Sequence, residues 1–140
     1  MDRDRLLLDT VFVQALLNRR DQYHAKAQSL LPRVRMASEV WVTEAVLIEI
    51  GNALSAIDRG AAVDFIERCY RTDNIHIVSV DTVLFTKALA LFAARPDKSW
   101  GLTDSISFSV MAQQGLTSAV TADVHFLQAG YQALMLEQEG

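Results

Sequence analysis

The sequence predicts an α/β protein, a three-layer α/β/α sandwich built on a five-stranded parallel sheet, and three observations carry that reading. Short apolar segments alternate with helical ones along all 140 residues. Most of those segments are apolar on both faces, as strands covered by helices above and below must be. Each is followed by a helix before the next strand begins, which is the connection parallel strands need. A chain of this length buries enough apolar surface to fold as one domain, residues 1–140, and it contains no Gly/Ser linker, low-complexity tract or internal repeat.

Taken in order, Leu6-Leu7-Leu8 reads as a buried strand ending on the carboxylate Asp9. From Val11 to about Arg20 the pattern turns helical, with Phe12, Ala15 and Leu16 on one face, and a second helix spans about Gln22 to Arg35 with Ala25, Ala27, Leu30 and Leu31 inward. Pro32 should kink that helix or end it. Val40-Trp41-Val42 is the second strand. Thr43 then caps a helix from Glu44 to about Arg59, which Gly60 is placed to stop, and another helix follows from Ala61 to Arg71. Ile75 to Val80 is the third strand, and Asp81 or Thr82 caps a helix from Val83 to Ala94. After the polar loop 95–99, Thr103 opens a helix that reaches Gln114 with Gly115 as its C-cap. Ser118 to Thr121 is the fourth strand, His125 to Ala129 a short helical turn, and Ala133 to Leu136 the fifth strand.

Composition narrows the setting. The single cysteine, Cys69, cannot form an internal disulfide and reads as a small core residue. The charged N-terminus has no signal-peptide hydrophobic region, and no apolar run is long enough to span a bilayer, so the expected location is the cytoplasm. A net charge of −4 argues against a broad basic surface for nucleic acid. A metal-binding acid cluster would reverse that argument locally. Arg3, Arg5, Arg19, Arg20, Lys26, Arg33 and Arg35 crowd the first quarter of the chain; they read as solvated helix faces, with a phosphate-contacting rim as the sharper alternative.

Four acids occupy junctions where chemistry is built in such folds. Ligands of open parallel sheets bind beyond the carboxyl ends of strands, where strand order reverses. Asp9 lies just past the first strand and Asp123 just past the fourth. Asp104 sits in the first turn of a helix that is apolar or small nearly all round, hence central and buried. In the third helix Val46, Ile50, Ala53, Leu54 and Ile57 define the buried stripe at about 100° per residue; Glu49 falls at its edge, whereas Glu44 lies nearly opposite and reads as a solvated first-turn acid. Each acid also has a plain alternative, since Asp9, Asp104 and Asp123 could serve as helix caps or dipole partners. Oxygen acids without ligand-spaced His or Cys select hard cations, Mg²⁺ or Mn²⁺. His24 reads as a surface helix residue and His76 as a strand residue, while His125 follows Asp123 closely enough to reach a phosphate. Thr10, Thr103 and Thr121 can orient carboxylates or touch substrate.

Leu6-Leu7-Leu8-Asp9-Thr10, Thr43 through Glu49 with Asn52-Ala53-Leu54, Trp100-Gly101-Leu102-Thr103-Asp104, and Thr121-Ala122-Asp123-Val124-His125-Phe126 with Ala129-Gly130-Tyr131 together resemble a PIN domain, specifically the VapC-like toxin nucleases of toxin–antitoxin pairs. The resemblance implies the strand order 3-2-1-4-5, which sets strands one and four side by side. It implies divalent-metal-dependent hydrolysis of RNA phosphodiester bonds by a quartet mapping onto Asp9, Glu49, Asp104 and Asp123, together with homodimerisation and a cognate antitoxin that blocks the site. Some relatives carry a further acid close to the fourth; here Val124, His125 and Phe126 stand instead, which leaves one-metal and two-metal catalysis both open. A catalytically degenerate PIN-like binding module is the alternative. A receiver-type phosphoacceptor domain, with Asp81 phosphorylated, would need a second acid beside Asp9 and a Lys after the fifth strand, and neither is present.

Overall fold

In a computed structural model that describes residues 3–138, the strands β1 (Arg5–Leu8), β2 (Glu39–Thr43), β3 (Ile75–Val78), β4 (Ser118–Val120) and β5 (Gln132–Ala133) form one sheet. Every pairing is parallel, and the order is β3-β2-β1-β4-β5. The order reverses at β1, between β2 and β4. Leu6, Leu7 and Leu8 pair with Ser118, Ala119 and Val120. Continuing that register by one residue brings Asp9 opposite Thr121.

Among the described residues seven α-helices connect and cover the strands: α1 (Thr10–Leu17), α2 (His24–Met36), α3 (Glu44–Leu54), α4 (Arg59–Arg71), α5 (Thr82–Ala94), α6 (Leu102–Gln114) and α7 (Val124–Gln128). Two cores follow from the alternation of β1 side chains. Leu6 and Leu8 pack with Phe12, Val13, Val46, Ile50 and Leu54 beneath α1 to α4. Leu7 points the other way, into Leu84, Trp100, Phe108, Met111 and Phe126 of the α5–α7 layer. A short strand buried on both faces is continuously apolar for this reason.

Local chemistry sets most boundaries as expected. Thr43 Oγ1 accepts the Val46 N–H at 3.2 Å and Asp81 Oδ1 accepts that of Leu84 at 2.8 Å, so both residues cap helices. Gly115 ends α6 at φ 67°, in the left-handed region open to glycine. Cys69 is buried, and its thiol is pushed up to about 11 by burial.

Several expectations are corrected. Helix α1 stops at Leu17, not near Arg20, and Ala25 of α2 is exposed. Of the two expectations for Pro32, a kink or an end, the end is not realised: α2 runs on to Met36. The Pro32 ring and Gln28, whose carbonyl loses the partner that the missing N–H would supply, are both on the solvent side. The helix opening at Glu44 ends at Leu54, not at Arg59, and Ile57 is exposed rather than part of the buried stripe. Asp58 Oδ1 accepts the Ala61 N–H at 3.0 Å and starts a new helix, leaving Gly60 in its first turn. The third strand closes at Val78. The fifth is two residues long, and Leu134–Leu136, expected to extend it, turn as a 3₁₀ helix that packs Leu134 and Met135 into the first core. His24 is half-buried and its Nδ1 lies 2.8 Å from the Ala15 carbonyl, tying α2 to α1. Glu44 is not merely solvated, since its Oε1 accepts the Val80 N–H at 3.1 Å; helical phase describes only a helix's own face, and the chain after β3 crosses over this one.

Candidate active site

The carboxyl ends of β1 and β4 bring two acids together at the reversal of strand order. Asp9 occupies the N-cap position of α1 yet makes no side-chain capping bond. Its Oδ2 instead accepts the Thr121 hydroxyl at 2.7 Å. Thr121 is fully buried, and its Oγ1 in turn accepts the Asp123 N–H at 3.0 Å, so one hydroxyl orients Asp9 and fixes the backbone that carries Asp123. Asp123 Oδ1 accepts the His125 N–H at 2.9 Å, which makes it the cap of α7 as well as a member of the crevice.

Asp104 enters from the third side. Helix α6 begins at Leu102 with Gly101 as N-cap, so Thr103 lies inside its first turn rather than opening it. Asp104 Oδ2 accepts the Gly101 N–H at 2.9 Å. A Trp100 sandwiched among Phe108, Arg95 and Gln128 anchors the approach: its ring lies edge-on to Phe108, the Arg95 guanidinium sits over it at 5.1 Å, and its Nε1 donates to Gln128 at 3.0 Å.

Asp104, Asp123 and His125 converge so that one ligand atom from each lies within 4.8 Å of the others. His125 Nδ1 is 3.2 Å from Asp104 Oδ2 and 3.3 Å from Asp123 Oδ1, while Nε2 is 3.2 Å from Ser99 Oγ. Asp9 stands behind this group at 5% exposure. Burial, opposed by the Thr121 hydrogen bond and reinforced by the charges of Asp104 and Asp123, pushes its carboxyl up to about 7. Burial likewise raises Asp104, with the nearby Asp123 charge adding to the effect and the Gly101 N–H opposing it. Among the described residues no Lys or Arg forms an ion pair with any of these acids. Like charges gathered in a crevice without a counter-charge are the arrangement that a bound cation stabilises.

Glu49 stands differently. It is half-buried on α3, lies outside the 4.8 Å group, and is not among the charges acting on Asp9. Thr10 is buried with its hydroxyl unpartnered among the described residues, and Thr103 makes no side-chain hydrogen bond there. Arg5 and Arg33 do not rim this crevice. They pair with Glu39 and Asp4 at the starts of the strands, the opposite end of the sheet. Asp81, the residue a receiver-type reading would phosphorylate, caps α5. The feature missed in the sequence is the inward turn of His125, because its partner Asp104 is 21 residues away and no short ligand spacing announces it.

A parallel sheet of order 3-2-1-4-5 with acids collected at the β1/β4 carboxyl ends defines a class of α/β proteins with an acid-lined crevice at the switch point. The chain belongs to the PIN domain family, whose profile matches residues 6–130. Comparison with curated proteins finds no match. Among solved structures, the Mycobacterium tuberculosis toxin VapC20, described as cleaving the sarcin-ricin loop, superposes with TM-score 0.81 at 24% identity over 90% of this chain and 95% of that one. VapBC2 from Rickettsia felis, bound to a DNA fragment from its promoter, gives 0.62 at 13% identity, covering 91% and 95%. FitAcB from Neisseria gonorrhoeae gives 0.55 at 16% identity, covering 91% and 94%. At these identities the likeness is one of fold. Among the described residues no helix is long and apolar enough to cross a membrane.

Proposed function

We propose that this protein is a divalent-metal-dependent endoribonuclease and the toxin of a toxin–antitoxin pair, acting in the cytoplasm. The observation that carries the reading is the convergence of Asp9, Asp104 and Asp123, with no lysine or arginine partner among the described residues, at the switch point of a PIN domain. The donor set fits a hard cation, with carboxylate oxygens predominating. Asp104 and Asp123 would hold it with Asp9 behind them, and Glu49 would complete the quartet from α3. Mg²⁺ or Mn²⁺, when bound, supplies Lewis acidity toward water and the scissile phosphate.

The chain's own residues do the rest. Thr121 holds Asp9 in one orientation, and Gly101 holds Asp104, so the acids meet the substrate already positioned. The Asp9 carboxyl, raised by burial, lies in the range of a general base and can take the proton of an attacking water, while Asp123 orients that water. In-line attack leaves a 5′-phosphate and a 3′-hydroxyl. Thr10 and Thr103, on the first turns of α1 and α6, are assigned to the carboxylates and substrate of the same crevice, Thr10 as a buried hydroxyl with no other partner among the described residues. The fold likeness to VapC20 supports structured RNA as the first substrate to try.

Two partners belong to this reading. An antitoxin segment is assigned to the cleft of about 430 Å³ between α1, α2 and α4, lined by Phe12, Leu16, Leu31, Val34, Phe65 and Cys69. A second copy of the chain is assigned to the exposed apolar stripe of α5. The test is cleavage of a mixed single-stranded and structured RNA pool with Mg²⁺, Mn²⁺ or EDTA. Metal-dependent cleavage at least a hundredfold weaker in Asp104→Asn supports the nuclease. A folded wild-type protein that cleaves nothing under any metal returns the chain to a degenerate binding module.

A further inference from the structure

We infer that His125 is itself a ligand of the cation and gives this site a nitrogen donor, so that it prefers Mn²⁺ and Co²⁺ to Mg²⁺ more strongly than an all-carboxylate site would. The inference rests on the metal reading above and deepens it. Its first support is geometric. Cis ligands of an octahedral ion, each about 2.1 Å from the metal, are about 3 Å apart, and the edges His125 Nδ1 to Asp104 Oδ2 and His125 Nδ1 to Asp123 Oδ1 are 3.2 and 3.3 Å. The imidazole, which contacts both carboxylates directly, thus stands at the spacing of adjacent ligands.

The second support is the other ring nitrogen. A ligating histidine donates its remaining N–H to an oxygen that fixes ring and tautomer. Ser99 Oγ stands 3.2 Å from Nε2 and fills that role from the loop before α6. In the tautomer that donates Nε2–H to Ser99, the Nδ1 lone pair is left for a cation shared with the two carboxylates.

The third support lies in how the ring is held. The His125 N–H is fixed by Asp123 Oδ1 and α7 is pinned through the buried Phe126, so the imidazole is carried on backbone whose position Asp123 itself sets. Imidazole suits the later first-row ions, whereas Mg²⁺ takes oxygen donors. A histidine standing where an acid would serve a harder ion therefore changes which ion the crevice selects.

The experiment is pulsed electron paramagnetic resonance on Mn²⁺ bound to the EDTA-stripped protein, combined with calorimetric titration of Mn²⁺, Co²⁺ and Mg²⁺. Wild type, His125→Asn and His125→Asp are compared. The expected result is a directly bound nitrogen coupling in wild type that disappears in both variants. With it, the ratio of Co²⁺ to Mg²⁺ affinity should fall about tenfold in His125→Asp, which keeps an oxygen ligand and a filled site. Mn²⁺ that binds wild type without nitrogen coupling, or an unchanged ratio in His125→Asp, overturns the inference and leaves the metal site standing. Wild type that binds none of the three ions overturns the metal reading itself.

Discussion

At the scale of single residues, the most informative group is Asp9. Its carboxyl is raised to about 7 chiefly by burial, with Thr121 opposing the shift and the charges of Asp104 and Asp123 adding to it. A carboxyl raised on folding favours the protonated native state. Its contribution to stability is therefore fully present below the unfolded value of 3.8 and is lost as pH rises from there to about 7. At 1.36 kcal/mol per unit the whole effect is on the order of 4 kcal/mol, an upper figure for one group. Thermal melts in EDTA should show wild type losing stability between about pH 4 and pH 7 relative to Asp9→Asn, whose amide can still accept the Thr121 hydroxyl. Added Mn²⁺ should restore wild type at pH 8 and leave the variant nearly unmoved. Parallel pH curves for the two proteins would mean that burial does not penalise the Asp9 charge. Asp9, Asp104 and Asp123 were legible as candidates in the sequence because each follows a strand or opens a helix, whereas Glu49 was read only from helical phase. The role of His125 was not, since helix α7 must be built before its ring can be seen to turn toward Asp104.

At the scale of elements, two glycines separate backbone conformation from packing. A Cβ at Gly115 or at Gly51 would meet nothing within 4 Å, so sterics cannot distinguish them. Gly115 sits at φ 67° as the C-cap of α6, where an alanine is strained by about 1 kcal/mol. Gly51 lies inside α3, where alanine gains roughly 0.5–1 kcal/mol of helix propensity. Gly115→Ala should lower the melting temperature by about 4 °C and Gly51→Ala should raise it by a similar or smaller amount, as read by calorimetry on the two variants. Shifts of the same sign would refute the assigned conformations. Glycine's two uses also explain what was legible here. Gly115 announced a helix end correctly because a left-handed cap needs it. Gly60 suggested a stop that the chain places five residues earlier, at Leu54 rather than Arg59, because residues 55–57 are compatible with a helix and only Asp58, capping the next one, marks the break. The apolar run Leu134–Leu136 misled for a related reason: a buried strand and a buried 3₁₀ turn look alike in composition, and only the pairing partner decides.

At the scale of the whole molecule, charge and shape pose one question. The chain carries −4, and the proposed site concentrates acids further, so two copies brought together repel and any dimer must be held by apolar contact. Helix α5 offers such a surface. Phe85, Leu89 and Phe92 recur at i, i+4 and i+7, are 40–45% exposed, and form one stripe, while Lys87, the helix's single charge, points about 200° away from Phe85. Each side chain is too exposed to contribute much to the monomer's core, so Leu89→Glu should change its melting temperature little while placing a carboxylate on each face of a symmetric contact. The expected outcome by light scattering is a wild-type mass twice the 15.6 kDa of the chain and a Leu89→Glu mass equal to it. Raising salt should strengthen the wild-type dimer, since screening weakens the like-charge term and leaves apolar burial intact. A dimer that salt dissociates would be held by ion pairs elsewhere on the surface. A wild-type chain that stays monomeric at tens of micromolar would leave the α5 stripe for the antitoxin, and co-purification of that partner with wild type but not with Leu89→Glu would then identify it.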